Sequence, residues 1–190
     1  MFLDRDGTIN ADVGYLGDPA GLVMLPGAIA GIQAFNRAGW RVIVISNQSG
    51  VGRGYFDEAA LAAIHDRLIA ELAEAGAQLD GIYYCPHQPD AGCECRKPAL
   101  GLLLQAQREH GIDLGRSWVI GDRPSDIELG RRAGCRTALV LPEAAGPGKG
   151  AGAGNARIEG MVAGAISIVP DCIIPDLAAA AAAILGPIGE

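Results

Sequence analysis

The opening Asp4-Arg5-Asp6-Gly7-Thr8 sets two carboxylates one residue apart. A carboxylate can attack phosphorus and form an aspartyl-phosphate. Two acids this close would repel each other, and a phosphate, unless a cation sat between them. Mg²⁺ suits that place, because it takes oxygen ligands and keeps several waters. The second carboxylate can give a proton to the leaving oxygen and later take one from water. Gly7 permits the sharp turn that brings both acids to one point. A different chemistry is written at Cys85-Pro86-His87 and Cys93-Glu94-Cys95. Three thiols and one imidazole form a ligand set for tetrahedral zinc. With all four positions filled by protein, the ion would be structural. A disulfide from Cys85 to Cys93 or Cys95 is the alternative. The odd count of five cysteines and their clustering around a histidine favour zinc.

Three further segments carry polar groups suited to the same phosphate chemistry. Ser46-Asn47-Gln48-Ser49-Gly50 ends an apolar run, and its hydroxyls and amides can hold phosphate oxygens. Arg96-Lys97 follows the cysteine loop; Lys97 can neutralise a transferring phosphoryl group and Arg96 can fork onto a phosphate. In Gly121-Asp122-Arg123-Pro124-Ser125-Asp126, Asp122 is the expected metal ligand. Asp126 is expected to hold Lys97 or to cap backbone amides. His65 and His110 are given no role. Cys135 and Cys172 read as core residues.

These segments need a scaffold that brings them to one edge. The β-branched run Arg41–Ser46 predicts a buried strand. Residues 27–38 predict a helix stopped at Gly39. Asp57 is expected to cap a helix with Leu61, Ile64, Leu68 and Leu72 on one stripe. Strands follow at Gly81–Cys85, Trp118–Gly121 and Thr137–Leu141, with further candidates at Ala165–Val169 and Cys172–Ile174. Pro98 and Pro124 are placed at helix starts, and Pro175 before an Ala-rich helix over Asp176–Leu185. The alternation predicts an α/β three-layer sandwich with a mostly parallel sheet and right-handed crossovers. Ligands bind beyond the carboxyl ends of such strands, and all the segments named above fall there. The stub Met1-Phe2-Leu3 is shorter than a usual strand and suggests a chain that begins upstream of Met1.

The 190 residues read as one domain, with a Gly/Ala-rich flexible insertion at 143–164. Aromatic residues are only 5% against 49% hydrophobic, so the core should be aliphatic. A net charge of −7 disfavours nucleic-acid partners. No apolar run reaches membrane-spanning length, and nothing resembles a secretion signal. A cytoplasmic monomer is expected.

The four blocks Asp4–Asn10, Ser46–Gly50, Arg96–Pro98 and Gly121–Arg123 together resemble the haloacid dehalogenase (HAD) superfamily of phosphatases. The cysteine loop and the opening are similar to a cap-less subgroup acting on a heptose bisphosphate or on histidinol phosphate. The resemblance implies a Rossmannoid fold with no large cap domain. It implies Asp4 as nucleophile and Asp6 as general acid/base. It places Mg²⁺ on the Asp4 carboxylate, the Asp6 carbonyl and Asp122, with Ser46 and Lys97 stabilising the phosphoryl group. Substrate contacts are implied from Asp12, Tyr15, Asn47, Gln48, Ser49, Arg53, Arg96 and Arg123, and zinc on Cys85, His87, Cys93 and Cys95. Asn47–Phe56 resembles the heptose enzymes, whereas the five-residue gap between His87 and Cys93 resembles the histidinol enzymes. A small phosphorylated sugar is the expected substrate. In a bisphosphate, Arg53 or Arg123 would hold the second phosphate.

Overall fold

The computed structural model describes residues 1–141 and 169–186. The expected insertion 143–164 and nearly all of the expected strand at 165–169 lie outside them. Among the described residues six strands form one parallel sheet: β1 (Phe2–Leu3), β2 (Ile43–Asn47), β3 (Gly81–Cys85), β4 (Trp118–Gly121), β5 (Arg136–Val140) and β6 (Cys172–Ile174). Their spatial order is β3-β2-β1-β4-β5-β6. Short as it is, β1 sits at the centre, with Leu3 paired to Val44 on one side and Ile120 on the other.

Among the described residues the α-helices are α1 (Ala28–Arg37), α2 (Ser49–Gly52), α3 (Glu58–Glu74), α4 (Gly101–His110), α5 (Pro124–Arg132) and α6 (Leu177–Leu185). Side chains alternate across each strand, so the sheet feeds two cores. Leu3, Val44 and Ile120 pack with Ile32 and Phe35 of α1, Ile64, Leu68 and Leu72 of α3, and Leu177 of α6. Phe2, Ile43 and Ile45 pack on the opposite face with Leu102, Leu103 and Ala106 of α4 and with Leu129 of α5. Both cores are mostly aliphatic, as the composition implies. A fully buried leucine such as Leu68 contributes roughly 1.5–3 kcal/mol by leaving water.

Local chemistry explains the boundaries. Asp57 caps α3 by accepting from the Ala60 amide at 2.8 Å, as expected. Asp176 caps α6 through the Ala179 amide rather than opening the helix. β2 starts two residues later than expected, because the Val42 amide is bound by the Asp80 side chain at 2.7 Å instead of a strand. Pro98 does not open α4, which begins at Gly101. The Ala99 amide bonds the Arg96 carbonyl and the Gly101 amide bonds the Glu94 carbonyl, so this segment still belongs to the cysteine loop. A Cβ at Gly101 would lie 2.5 Å from that Glu94 carbonyl oxygen, so only glycine lets the loop close onto the helix start.

Candidate active site

At the carboxyl ends of β1, β2 and β4, with the loop after β3, the chain builds a cavity of about 640 Å³. Asp4 and Asp6 come from the turn after β1 and Asn47 from the end of β2. Arg96 and Lys97 come from the cysteine loop, and Arg123 from the start of α5; all six line the cavity. Asp12, Tyr15 and Ser49 line it too. So do Pro89, Pro124 and Ser125, to which the sequence gives no role in the site.

Lys97 is the electrostatic hub of the floor. Its Nζ lies 2.8 Å from Asp4 Oδ1 and 2.7 Å from Asp126 Oδ1, and donates to the Ile45 carbonyl at 2.7 Å. Burial alone would lower the Lys97 pKa, but the Asp126 and Asp4 carboxylates outweigh it and raise it. Burial pushes the Asp4 carboxyl up to about 7, against the pull of Lys97. Asp126 takes both of its expected roles, since its Oδ2 also accepts from the Arg123 amide at 3.1 Å.

Asp4, Asp122 and Asp126 bring carboxylate oxygens within 4.8 Å of one another, all three buried. Lys97 pairs with Asp4 and Asp126, and the Arg123 charge acts on Asp122, so three carboxylates crowd one point with two cations at its edge. That excess of negative charge, with oxygen donors only, fits a hard divalent cation such as Mg²⁺. Gly7 has a φ of 79°, and a Cβ there would sit 2.5 Å from Asp122 Oδ2. Only glycine allows the turn after β1 to lie against Asp122.

Asp6 is held differently. Its oxygens receive Arg5 Nε at 3.1 Å, Arg5 Nη2 at 3.0 and 2.9 Å, Asn10 Nδ2 at 2.9 Å and Gln48 Nε2 at 2.8 Å. Gln48 is buried beneath the cavity and also donates to Ser46 Oγ at 2.7 Å. Ser46 and Gln48 thus stand under Asp6, outside the residues that line the cavity. Arg5 is fully buried, and its Nη1 meets His65 Nε2 of α3 at 3.2 Å. Burial and then the Arg5 charge lower the His65 pKa to about 4, so the ring is neutral. Sequence reasoning missed both residues. The available signal was His65 itself, four residues after Leu61 on the apolar stripe of α3.

The cations divide sharply. Arg123 is paired with Asp12, and the burial that would lower its pKa is outweighed by Asp122 and Asp12. Arg53 is exposed after α2 and is not among the cavity-lining residues. Arg96 lines the cavity, and its buried Nη1 has no hydrogen-bond partner among the described residues.

Cys85, His87, Cys93 and Cys95 converge as expected. The Cys95 sulfur lies 3.1 Å from Cys85 Sγ, 3.4 Å from Cys93 Sγ and 3.1 Å from His87 Nδ1. All five cysteines of the chain are free thiols, and these spacings exceed a disulfide's roughly 2.05 Å. Four ligand atoms around one centre make a cluster that can hold a tetrahedral metal ion. His110 lies away from both sites, against Tyr83. No helix among the described residues is long and apolar enough to cross a membrane.

The haloacid dehalogenase-like hydrolase family matches residues 6–131, and the HAD-hydrolase-like family matches residues 94–180. The chain is 44% identical over 141 residues to the D-glycero-beta-D-manno-heptose-1,7-bisphosphate 7-phosphatase of Pseudomonas aeruginosa, covering 74% of this chain and 79% of that protein. It is 39% identical over 191 residues to the D-glycero-D-manno-heptose-1,7-bisphosphate 7-phosphatase of Thermosynechococcus vestitus, covering 95% and 92%. Among solved structures, it superposes on the D,D-heptose 1,7-bisphosphate phosphatase of B. bronchiseptica complexed with magnesium and phosphate. That match has a TM-score of 0.83 and 36% identity, and covers 97% of both chains.

Proposed function

The chain belongs to the haloacid dehalogenase-like hydrolases, and we propose that it removes the 7-phosphate of D-glycero-D-manno-heptose 1,7-bisphosphate. The observation that carries this reading is a buried Asp4 held by Lys97 on the cavity floor, with a second acid, Asp6, facing the same space. Asp4 and Asp122 would hold Mg²⁺ together with the Asp6 carbonyl. When bound, that ion would shield the carboxylates from the phosphate and draw charge from its oxygens. A neighbour solved with magnesium and phosphate supports this choice.

The roles of the chain's own residues follow from position. Asp4 attacks phosphorus in line with the leaving sugar oxygen. Lys97, fixed by Asp4, Asp126 and the Ile45 carbonyl, offers its charge to the transferring group without having to reorganise. Asp6 protonates the leaving oxygen and then takes a proton from the water that releases phosphate from Asp4. Arg96 receives the second, non-reacting phosphate, because its buried Nη1 has a donor to offer while Arg123 is already paired with Asp12. Asp12, Tyr15, Asn47 and Ser49 shape the walls around the sugar, while Ser46 and Gln48 support Asp6 from below. Cys85, His87, Cys93 and Cys95 would hold a structural zinc ion, which would fix the loop that carries Arg96.

The test is phosphate release with Mg²⁺ present. The heptose bisphosphate should exceed histidinol phosphate by about 100-fold in kcat/KM, since one charge-assisted hydrogen bond is worth ~1.5–3 kcal/mol and a second phosphate offers several. The reverse preference would replace the assignment. Turnover that survives Asp4→Asn would remove Asp4 as nucleophile.

A further inference from the structure

We infer that Arg5, anchored by His65, is a positioning residue for Asp6 and serves the second half of the reaction. The inference rests on the role of Asp6 proposed above. Arg5 is a fully buried arginine between the two acids of the opening motif. Its backbone amide donates to Asp4 Oδ1 at 2.7 Å. Its guanidinium turns the other way and forks onto Asp6, with Nε and Nη2 on Oδ1 and Nη2 on Oδ2. One residue therefore fixes the nucleophile with its backbone and the second acid with its side chain.

The guanidinium is itself tied from behind. Nη1 is met by His65 Nε2 at 3.2 Å, and Nη2 also donates to Gln48 Oε1 at 3.1 Å. An arginine only donates, so the His65 ring must present a bare nitrogen and carry its hydrogen on Nδ1. A neutral ring in this place is what burial beside Arg5 enforces. His65 belongs to the buried face of α3, so the rigid core of the domain sets the direction of the fork. Gln48 closes the frame by bonding Arg5, Asp6 and Ser46 at once.

Every group that touches the Asp6 oxygens in this frame is an N–H donor. The frame therefore fixes the direction of the Asp6 carboxyl group, with one side open to the cavity. In the first step the ester P–O bond breaks, the Asp4 Oδ–P bond forms, and the Asp6 proton passes to the leaving oxygen. In the second step a water O–H proton passes to the Asp6 carboxylate and the water oxygen bonds to phosphorus. The Asp4 Oδ–P bond then breaks and inorganic phosphate leaves. Asp6 enters the second step as the carboxylate that Arg5 holds. Misaiming it should slow release of phosphate from Asp4 more than its loading.

The experiment compares the two half-reactions with p-nitrophenyl phosphate, whose leaving group needs little protonation. Wild-type protein, Arg5→Lys and Asp6→Asn are mixed with substrate in rapid quench. For Arg5→Lys, p-nitrophenolate release in the first turnover should fall less than about threefold while the steady state falls about tenfold or more. A burst near one equivalent should appear, with phosphate recovered on the acid-quenched protein. Equal loss in both phases, or no loss in either, overturns the inference. If Arg5→Lys does not fold, His65→Leu is read in the same way, and His65→Gln, which returns an acceptor to Nη1, should restore the wild-type pattern. Failure of both Arg5→Lys and His65→Leu to fold also overturns it, because Arg5 then serves the fold and not the reaction. Absence of turnover in the wild type with any phosphomonoester would instead defeat the proposed function.

Discussion

Removing the metal proposed for the Cys85, His87, Cys93 and Cys95 cluster should separate two cations that are neighbours in sequence. Lys97 is held from outside the cysteine loop. Its amide donates to Asn47 Oδ1 at 2.9 Å, and its carbonyl accepts from Asn47 Nδ2 at 3.2 Å. Its ammonium is fixed by Asp4, Asp126 and the Ile45 carbonyl. Arg96 follows Cys95 directly, and its buried Nη1 has no such anchor among the described residues. A loosened loop should therefore cost Arg96 its grip on a second phosphate and leave Lys97 in place. One charge-assisted hydrogen bond is worth ~1.5–3 kcal/mol, or about 10- to 150-fold in affinity. The assay is steady-state kinetics of zinc-free Cys95→Ser protein, with metal content measured, on the bisphosphate and on the matching monophosphate. KM for the bisphosphate should rise by about that factor, with kcat changed less than about threefold. KM for the monophosphate should hold. Both cores are built mainly from elements outside the loop, so the fold should persist. A collapse of kcat on both substrates would refute the reasoning, since Lys97 would then depend on the loop as much as Arg96. So would an unchanged bisphosphate KM in folded, zinc-free protein.

Lys97→Met should lower kcat by about 10²–10³ through loss of a fixed charge at the phosphoryl group. It should also destabilise the metal-free protein by about 3–5 kcal/mol, because Asp4 and Asp126 would remain buried without their cation; urea unfolding that shifts by under about 1 kcal/mol would contradict the charge assignment. His65 gives a pH prediction. Its folded pKa of about 4 lies below the usual 6.5, so the unfolded chain takes up the proton first as pH falls. His65 therefore costs nothing near pH 7 and destabilises increasingly from pH 6.5 down towards 4. The cost should reach about 2–3 kcal/mol by pH 4.5. His65→Gln lacks that cost, so its stability relative to wild type should improve by about that amount between pH 7 and 4.5 in urea melts. Parallel stability curves for the two proteins would show that the folded ring takes up its proton as readily as the unfolded one, against a burial-lowered pKa.

Much of the fold was legible because its signals are local. The β-branched run of β2, the Asp57 cap and the apolar stripe of α3 each report on a few neighbouring residues. What the sequence concealed depends on contacts across the chain. Pro98 has the chemistry of a helix start, yet hydrogen bonds from Ala99 to Arg96 and from Gly101 to Glu94 keep it in the loop. Val42 has the side chain of a strand residue, yet Asp80, 38 positions away, takes its amide. In the site, acids and amides were found because short motifs place them. Arg5 and His65 were missed because their meaning lies in a contact over 60 positions. Arg5 reads as an ordinary cation until burial shows that a charge with no water must have been placed there for a partner.

Pairing of charge, and not proximity alone, decides which cation is left to take a second, non-reacting phosphate; Lys97 acts on the transferring group from within its pairs. Arg5 is committed to Asp6, Lys97 to Asp4 and Asp126, and Arg123 to Asp12. Arg123 gives Nη2 to Asp12 at the solvent-exposed rim, so a phosphate there would share the guanidinium with a carboxylate. Arg53 does not line the cavity. Arg96 is the cavity-lining arginine with a buried nitrogen that makes no hydrogen bond among the described residues, and an unmet buried donor costs about 1–3 kcal/mol until an acceptor arrives. An anion entering the cavity gives that nitrogen a charged acceptor, a stronger partner than water, so it favours a substrate with a second phosphate over one without. The same logic gives the cysteine loop its value: a donor that no protein group holds in place must be aimed by the rigidity of the backbone that carries it.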